Sequence, residues 1–199
     1  MRMIVRIAAL VLALLLSAPT AFGQGRASVD GKIGAGEYAK SFRHEASGTT
    51  LYWSITGDTI QIGIRTQTEG WIGVGFLPEK TSSKHGADQY IFAVEGGKPI
   101  AFDLYQAAAV GPPVLDEDNG AKRSILQFAV VRDGNTLVVE FTRKMKTGER
   151  TDVDIVPGKN FSLLLALGAG ESRRSPHKGT TRWEIPQLRV LVGAVVAVL

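Results

Sequence analysis

Short apolar runs, most of them in every-second-residue alternation, dominate the middle of this chain. Leu51-Tyr52-Trp53-Ser54-Ile55 reads as a strand, and Gly57-Asp58 is a tight-turn pair. Ile60, Ile62 and Ile64 then alternate with Gln61, Gly63 and Arg65, which predicts a hairpin with one wet face. Trp71 to Leu77 is next. Here Gly73 and Gly75 alternate with Ile72, Val74 and Phe76, so one strand face lacks side chains. Glycine inside a strand often marks the close approach of a ligand or another backbone, and this bare face suits something flat and apolar. The strand breaks at Pro78, a polar loop carries His85, and pairing resumes at Gln89 to Val94. Glu95-Gly96-Gly97-Lys98 turns the chain into Ile100 to Tyr105, and Asp133-Gly134-Asn135 joins Ser124–Val131 to Thr136–Thr142. In the last of these Leu137, Val139 and Phe141 point one way. Phe161 to Leu167 is a continuous apolar run of strand length, expected to be buried on both faces, and Thr180 to Ile185 closes the series. Ala107–Arg123 and Gly168–Gly179 read as irregular surface loops, with Asp116, Glu117 and Asp118 solvated in the first. No stretch keeps a 3.6-residue apolar period. About nine short strands with frequent turn signals predict an all-β fold, an immunoglobulin-like antiparallel β-sandwich.

The two ends differ from this pattern. Residues 1–23 read as a secretory signal: Arg2 and Arg6 are basic, Ile7 to Leu16 apolar, and Ala21-Phe22-Gly23 a small-x-small cleavage site. An exported, periplasmic or extracellular protein is therefore expected, with one sandwich domain over residues 24–187. The tail, residues 188–199, includes the wholly apolar Val190 to Leu199, far short of the roughly 20 residues a membrane-crossing helix needs. A last strand and a weak membrane anchor are both open for it. The formal net charge of +4 includes Arg2 and Arg6, and no basic block is interleaved with aromatics, so no nucleic-acid partner is expected. The chain has no cysteine, which excludes disulfides, thiolate metal sites and covalent c-type haem attachment.

Three histidines remain as candidate ligands. His44 lies among charges in Phe42-Arg43-His44-Glu45 and reads as surface. His85 and His177 lie in glycine-containing polar loops, Lys84-His85-Gly86-Ala87-Asp88 and Ser175-Pro176-His177-Lys178-Gly179. In a sandwich, loops at one end cluster, so these two rings can face each other, and haem iron takes axial ligands from such a pair. On composition alone solvent exposure is the stronger reading for both. No HExxH, no GxSxG and no paired-carboxylate pattern is present, so zinc, serine-nucleophile and glycosidase chemistry have no sequence handle.

Several stretches in order carry a family resemblance: Asp30-Gly31-Lys32-Ile33 with Gly36-Glu37-Tyr38, then Leu51-Tyr52-Trp53, Gly70 to Phe76, and Gly86-Ala87-Asp88. Phe141-Thr142-Arg143 with Thr147-Gly148, and His177 followed by Gly179, extend it. Together these resemble the DOMON domain, named for dopamine β-monooxygenase, over about Val29 to Ile185. The resemblance implies a sandwich that binds either b-type haem or a sugar. In haem-binding members one axial ligand precedes the Gly-Ala-Asp motif, commonly a methionine, and the other is a late-loop histidine. The matching positions are His85 and His177, so this chain departs from the pattern by offering imidazole twice, which lowers the potential relative to a methionine ligand.

On that resemblance the expectation is a non-covalent haem b held by His85 and His177. Gly73 and Gly75 let the ring lie near the sheet, and Trp71 and Phe76 supply apolar wall. Arg173, Arg174 and Lys178 are placed to pair with the propionates, although they also read as an ordinary basic loop. Trp71 and Trp183 suit the core as well. A six-coordinate iron would move electrons to a redox partner protein, a membrane cytochrome among the candidates, and the domain is not expected to be an enzyme. The competing expectation is a carbohydrate-binding module of the same fold, with Trp53, Tyr90 or Tyr105 as a stacking platform.

Overall fold

The computed structural model describes residues 27–78, 83–159 and 161–185; the signal-like segment and the tail lie outside these residues. Among the described residues eleven strands pair antiparallel in two sheets. Sheet A has the order β1-β2-β3-β9-β8, from β1 (Lys40–His44), β2 (Thr49–Thr56), β3 (Thr59–Gln67), β8 (Gln127–Asp133) and β9 (Thr136–Lys144). Sheet B has the order β11-β10-β4-β5-β6-β7, from β4 (Ile72–Leu77), β5 (Asp88–Glu95), β6 (Lys98–Tyr105), β7 (Val114–Leu115), β10 (Phe161–Gly168) and β11 (His177–Ile185). The expected all-β sandwich is what forms. Turn chemistry sets the registers: Gly96 and Gly97 both take positive φ (57° and 78°) in the two-residue loop joining β5 to β6.

The core lies between the sheets, where period-two alternation delivers one face of each strand. Ile60, Ile62 and Ile64 of β3 and Leu137, Val139 and Phe141 of β9 meet Val74, Phe76, Tyr90 and Phe92 of sheet B. Rings of Tyr90, Phe92 and Phe141 pack with centroids 4.8–6.4 Å apart, Tyr90 stacked on Phe92 and Phe141 tilted against both. Trp53 and Tyr90 belong to this core, 7% and 0% exposed, so neither can offer the sugar-stacking platform expected of them. Phe76 is corrected in the same way. Alternation turns it away from Gly73 and Gly75 into the inter-sheet core, and it supplies no wall on the outer face.

The wet face expected of the β2–β3 hairpin is covered in β3. Gln61 is buried and donates its amide to the Ala27 and Ser28 carbonyls (2.6 and 3.1 Å). A Cβ on Gly63 would sit 2.9 Å from the Tyr38 ring, so only glycine admits the segment lying over it. Glu140 of β9 clasps that segment. Its Oε2 accepts from the Asp30 and Gly31 amides (3.1 and 2.7 Å) and its Oε1 from the Tyr38 hydroxyl (2.7 Å). Burial raises the Glu140 carboxyl above its ordinary range, against these donors. Glu140→Ala strands two backbone donors and a phenol, and should cost on the order of 3 kcal/mol by urea unfolding, with faster proteolysis in residues 27–38.

A buried ion pair explains two of the sequence motifs. Arg143 of Phe141-Thr142-Arg143 and Asp88 of Gly86-Ala87-Asp88 are both 0% exposed and bonded to each other across the sandwich. Arg143 also donates to the Lys144 and Val153 carbonyls (2.9 and 3.0 Å) and packs over the Phe76 and Tyr90 rings. Burial still pushes the Asp88 carboxyl up to about 7, with Asp152 and Asp103 adding to the rise.

Candidate functional site

The outer face of sheet B carries a cleft of about 670 Å³. Its floor is the face of β4 that Gly73 and Gly75 leave bare, flanked by Gln89 and Ile91 of β5 and Leu164 and Ala166 of β10. A Cβ on Gly73 would come within 3.1 Å of the Trp71 ring, and one on Gly75 within 3.1 Å of Gln89 Cγ. The two glycines therefore make the depth of the cleft. The Phe161–Leu167 run is corrected here: Leu163 and Leu165 face the core, whereas Leu164 and Ala166 line the cleft. On this second face Ala166 also packs against the small apolar cluster of Trp71, Ile91, Ala93 and Leu104.

One wall is the 169–177 connection. Trp71 pins it: the indole Nε1 donates to the Ser175 carbonyl (3.1 Å), the Trp71 amide to Gly170 (3.2 Å), and its carbonyl accepts from Gly168 (2.7 Å). Trp71 is thus both core and cleft residue, 5% exposed among Ile91, Ala93 and Leu104. His177 is not in a loop as expected. It opens β11 across a bulge at Leu167/Gly168, lines the cleft and is exposed. Arg173 and Arg174 line the same wall, with the Arg173 guanidinium 4.9 Å from the Phe102 ring centroid. Lys178 is exposed and does not line the cleft.

The opposite wall comes from two connections. Lys84 lines the cleft and donates its Nζ to the Gly111 carbonyl (2.6 Å), which ties the loop before β5 to Gly111-Pro112-Pro113. His85, next to Lys84, is exposed and is not among the lining residues; its amide donates to Ser83 Oγ (3.2 Å). Gly86 and Ala87 are fixed by the Gly86 amide donating to the Gln106 carbonyl (2.8 Å) and the Gln106 amide donating to Ala87 (3.0 Å). His44 lies on the other sheet, where its Nδ1 accepts from the Ser47 amide (3.2 Å). Sequence reasoning missed Lys84, Gln89, Ile91 and the Pro112-Pro113 wall. Period-two alternation outward from Gly73 and Gly75 would have found the first strand neighbours.

The cleft volume falls within the about 300–1,000 Å³ typical of small-molecule and cofactor pockets. Apolar floor, basic side chains at one wall and an imidazole at its edge suit an amphipathic planar molecule with acidic substituents. The DOMON domain family pattern matches residues 45–168. The chain belongs to the DOMON family. Gly73, Gly75, Asp88 and Arg143 lie within that span, while the wall carrying His177 lies beyond it.

No curated protein sequence matches this DOMON chain. Among solved structures it is similar to the cytochrome b domain of pyranose dehydrogenase from Coprinopsis cinerea (11% identity, TM-score 0.51, covering 73% of this chain and 80% of that one). It is similar to the same degree to the cytochrome domain of Myriococcum thermophilum cellobiose dehydrogenase (9%, TM-score 0.51, 75% and 88%). At such identities the likeness is one of fold. A candidate carbohydrate-binding protein from Bacteroides uniformis also matches (13%, TM-score 0.36, 71% and 70%), a score too low to establish a shared fold.

Proposed function

We propose that this DOMON domain is an exported b-type haem module that transfers electrons to a redox partner and has no catalysis of its own. The observation that carries the reading is the glycine-floored cleft with Arg173, Arg174 and His177 on one wall and the Lys84–His85 loop at the other. His177 and His85 would hold the iron through imidazole, and Arg173 and Arg174 would meet the propionates, with guanidinium suited to bidentate carboxylate pairing. Bound there, haem supplies reversible one-electron chemistry. Held by two imidazoles, the group would serve electron transfer and not chemistry on a bound substrate. The two histidines are exposed, so a group held between these walls stands close to the surface, where a partner protein can reach it. The signal-like pattern of Met1 to Gly23 supports export, and among the described residues no helix is long and apolar enough to cross a membrane.

The cytochrome domains similar in fold are parts of dehydrogenases, which supports electron transfer over sugar binding. The stacking platform that sugar binding would use has lost Trp53 and Tyr90 to the core. Purified chain titrated with haemin should give one equivalent of a low-spin complex, with a sharp Soret band and resolved α and β bands on reduction. A protein that stays colourless and is retained on polysaccharide would reverse the reading in favour of the sugar module. Gly75→Leu offers a steric check, because its side chain would stand on the cleft floor against the flexible Gln89. It should weaken haem uptake at least about tenfold, ~1.4 kcal/mol, with an unchanged far-UV circular dichroism spectrum.

A further inference from the structure

The wall that carries His85 is fastened to the cleft floor through one buried amide. Gln106 follows β6 directly and is 0% exposed, although it does not line the cleft. Its side chain is engaged at both ends. Oε1 accepts from Nε2 of Gln89 on the floor (2.9 Å), and Nε2 donates to the carbonyls of Ala108 and Gly111 (2.8 and 3.3 Å). Two carbonyls facing Nε2 leave the amide one usable orientation. The Gln106 backbone meanwhile accepts from the Gly86 amide and donates to the Ala87 carbonyl, one residue beyond the β5–β6 pairing.

The loop this amide holds has little else to hold it. Residues 107–112 are exposed, Val110 by 80%, so burial does not fix them. Among the described residues their hydrogen bonds come from Gln106 and from Lys84, whose Nζ shares the Gly111 carbonyl (2.6 Å). Water can serve the carbonyls of an exposed loop, so a buried glutamine is not needed to satisfy them. What the amide adds is a fixed place for the loop. The links form a series from the floor outward: Gln89, Gln106, Gly111, Lys84. His85 is the next residue, and the Lys84 carbonyl closes its turn by accepting from the Ala87 amide (3.0 Å). The His85 ring is exposed, so its place is set by this backbone and not by packing.

We propose that Gln106 is the positioning residue of this wall: its side chain fixes the 107–113 connection against the floor and, through Gly111 and Lys84, sets where His85 stands. The inference rests on the haem reading, in which His85 is a ligand. Groups that hold a ligand's own segment in place keep it oriented before the metal arrives, and losing one typically costs about 10–100-fold in metal affinity or activity. Glutamine suits the post because one planar group accepts from the floor and donates to the loop. Glutamate would turn oxygen toward two carbonyls, and leucine would offer neither end a partner.

The test compares the full chain with Gln106→Leu, close in size and without polar atoms, and with Lys84→Met, which cuts the same series at Gly111. Lys84 is only half-buried, so that variant answers if Gln106→Leu fails to fold. In the haem-free proteins the Gly86 and Ala87 amides should exchange hydrogen at least about tenfold faster in both variants, with Trp71 and Ala169 on the other wall unchanged. Both variants should bind haemin about tenfold more weakly and show mixed low- and high-spin bands, which free imidazole returns to the low-spin form. A purely structural defect would lower Tm without a spectrum that imidazole mends. Because the links lie in series, the double variant should be no worse than either single one. Unchanged exchange at Gly86 and Ala87 overturns the proposal, and so does a spectrum that stays fully low-spin. A wild-type chain that takes up no haemin ends the haem reading instead, and the exchange rates alone then decide whether Gln106 holds the wall.

Discussion

His177→Ala should abolish the low-spin haem spectrum and lower haem affinity at least about a hundredfold, roughly 2.7 kcal/mol. His177 opens β11 at the bulge opposite Gly168, and its side chain is exposed at the cleft wall, so truncation leaves no packing defect behind. The circular dichroism spectrum and Tm of the haem-free variant should match wild type. His85→Ala is expected to act in parallel, leaving a five-coordinate, high-spin complex, because its ring comes from the loop at the other wall. His44→Ala is the control, since that ring caps a short turn on sheet A. A sharp low-spin Soret band persisting in either His85→Ala or His177→Ala would exclude that residue as a ligand.

Arg143→Met should be the most damaging core substitution, about 3–5 kcal/mol by urea unfolding and a Tm fall of roughly 10 °C. The guanidinium is 0% exposed, bonded to Asp88 and to the carbonyls of Lys144 and Val153, and sandwiched near two aromatic rings. Removing it leaves the Asp88 carboxylate buried beside Asp103 and Asp152. Lysine would restore the charge but cannot serve three acceptors at once, so Arg143→Lys should recover only part of the loss. The double variant D88N/R143M should be more stable than R143M alone, because the asparagine carbonyl still accepts from Val153 and Tyr90 without a charge to bury. Equal stabilities for R143M and the double variant would show that the pair is not coupled.

The hairpins were readable because their signals are local. Gly57, Gly96, Gly97 and Gly134 sit at positive φ between alternating runs, where turn chemistry fixes the register. β1 and β7 were not readable. Lys40–His44 is a polar edge strand and Val114–Leu115 only two residues long, so neither has a periodic signal to detect. The site was half legible. Gly73, Gly75, Trp71, Arg173, Arg174 and His177 do meet at one cleft, and for the glycines the reason is that period-two alternation is a property of the strand itself. Phe76 failed by the same rule, which puts it opposite Gly75. Other errors were tertiary. Gln61 and Asp116 look solvent-facing in sequence, yet distant segments cover both, and nothing near them in the chain announces it. The double apolar face of Phe161–Leu167 divides between the inter-sheet core, which takes Leu163 and Leu165, and the cleft wall, where Ala166 also packs against Trp71 and Ile91.

The strap from Ala27 to Tyr38 dresses the outer face of sheet A, and the corresponding face of sheet B is left open as the cleft. The molecule consequently has a back and a front for anyone fixing it to an electrode or sensor chip. A tether near Ser28 would leave the Gly73–Gly75 floor turned toward solution, whereas one at Arg174 would press that floor against the support.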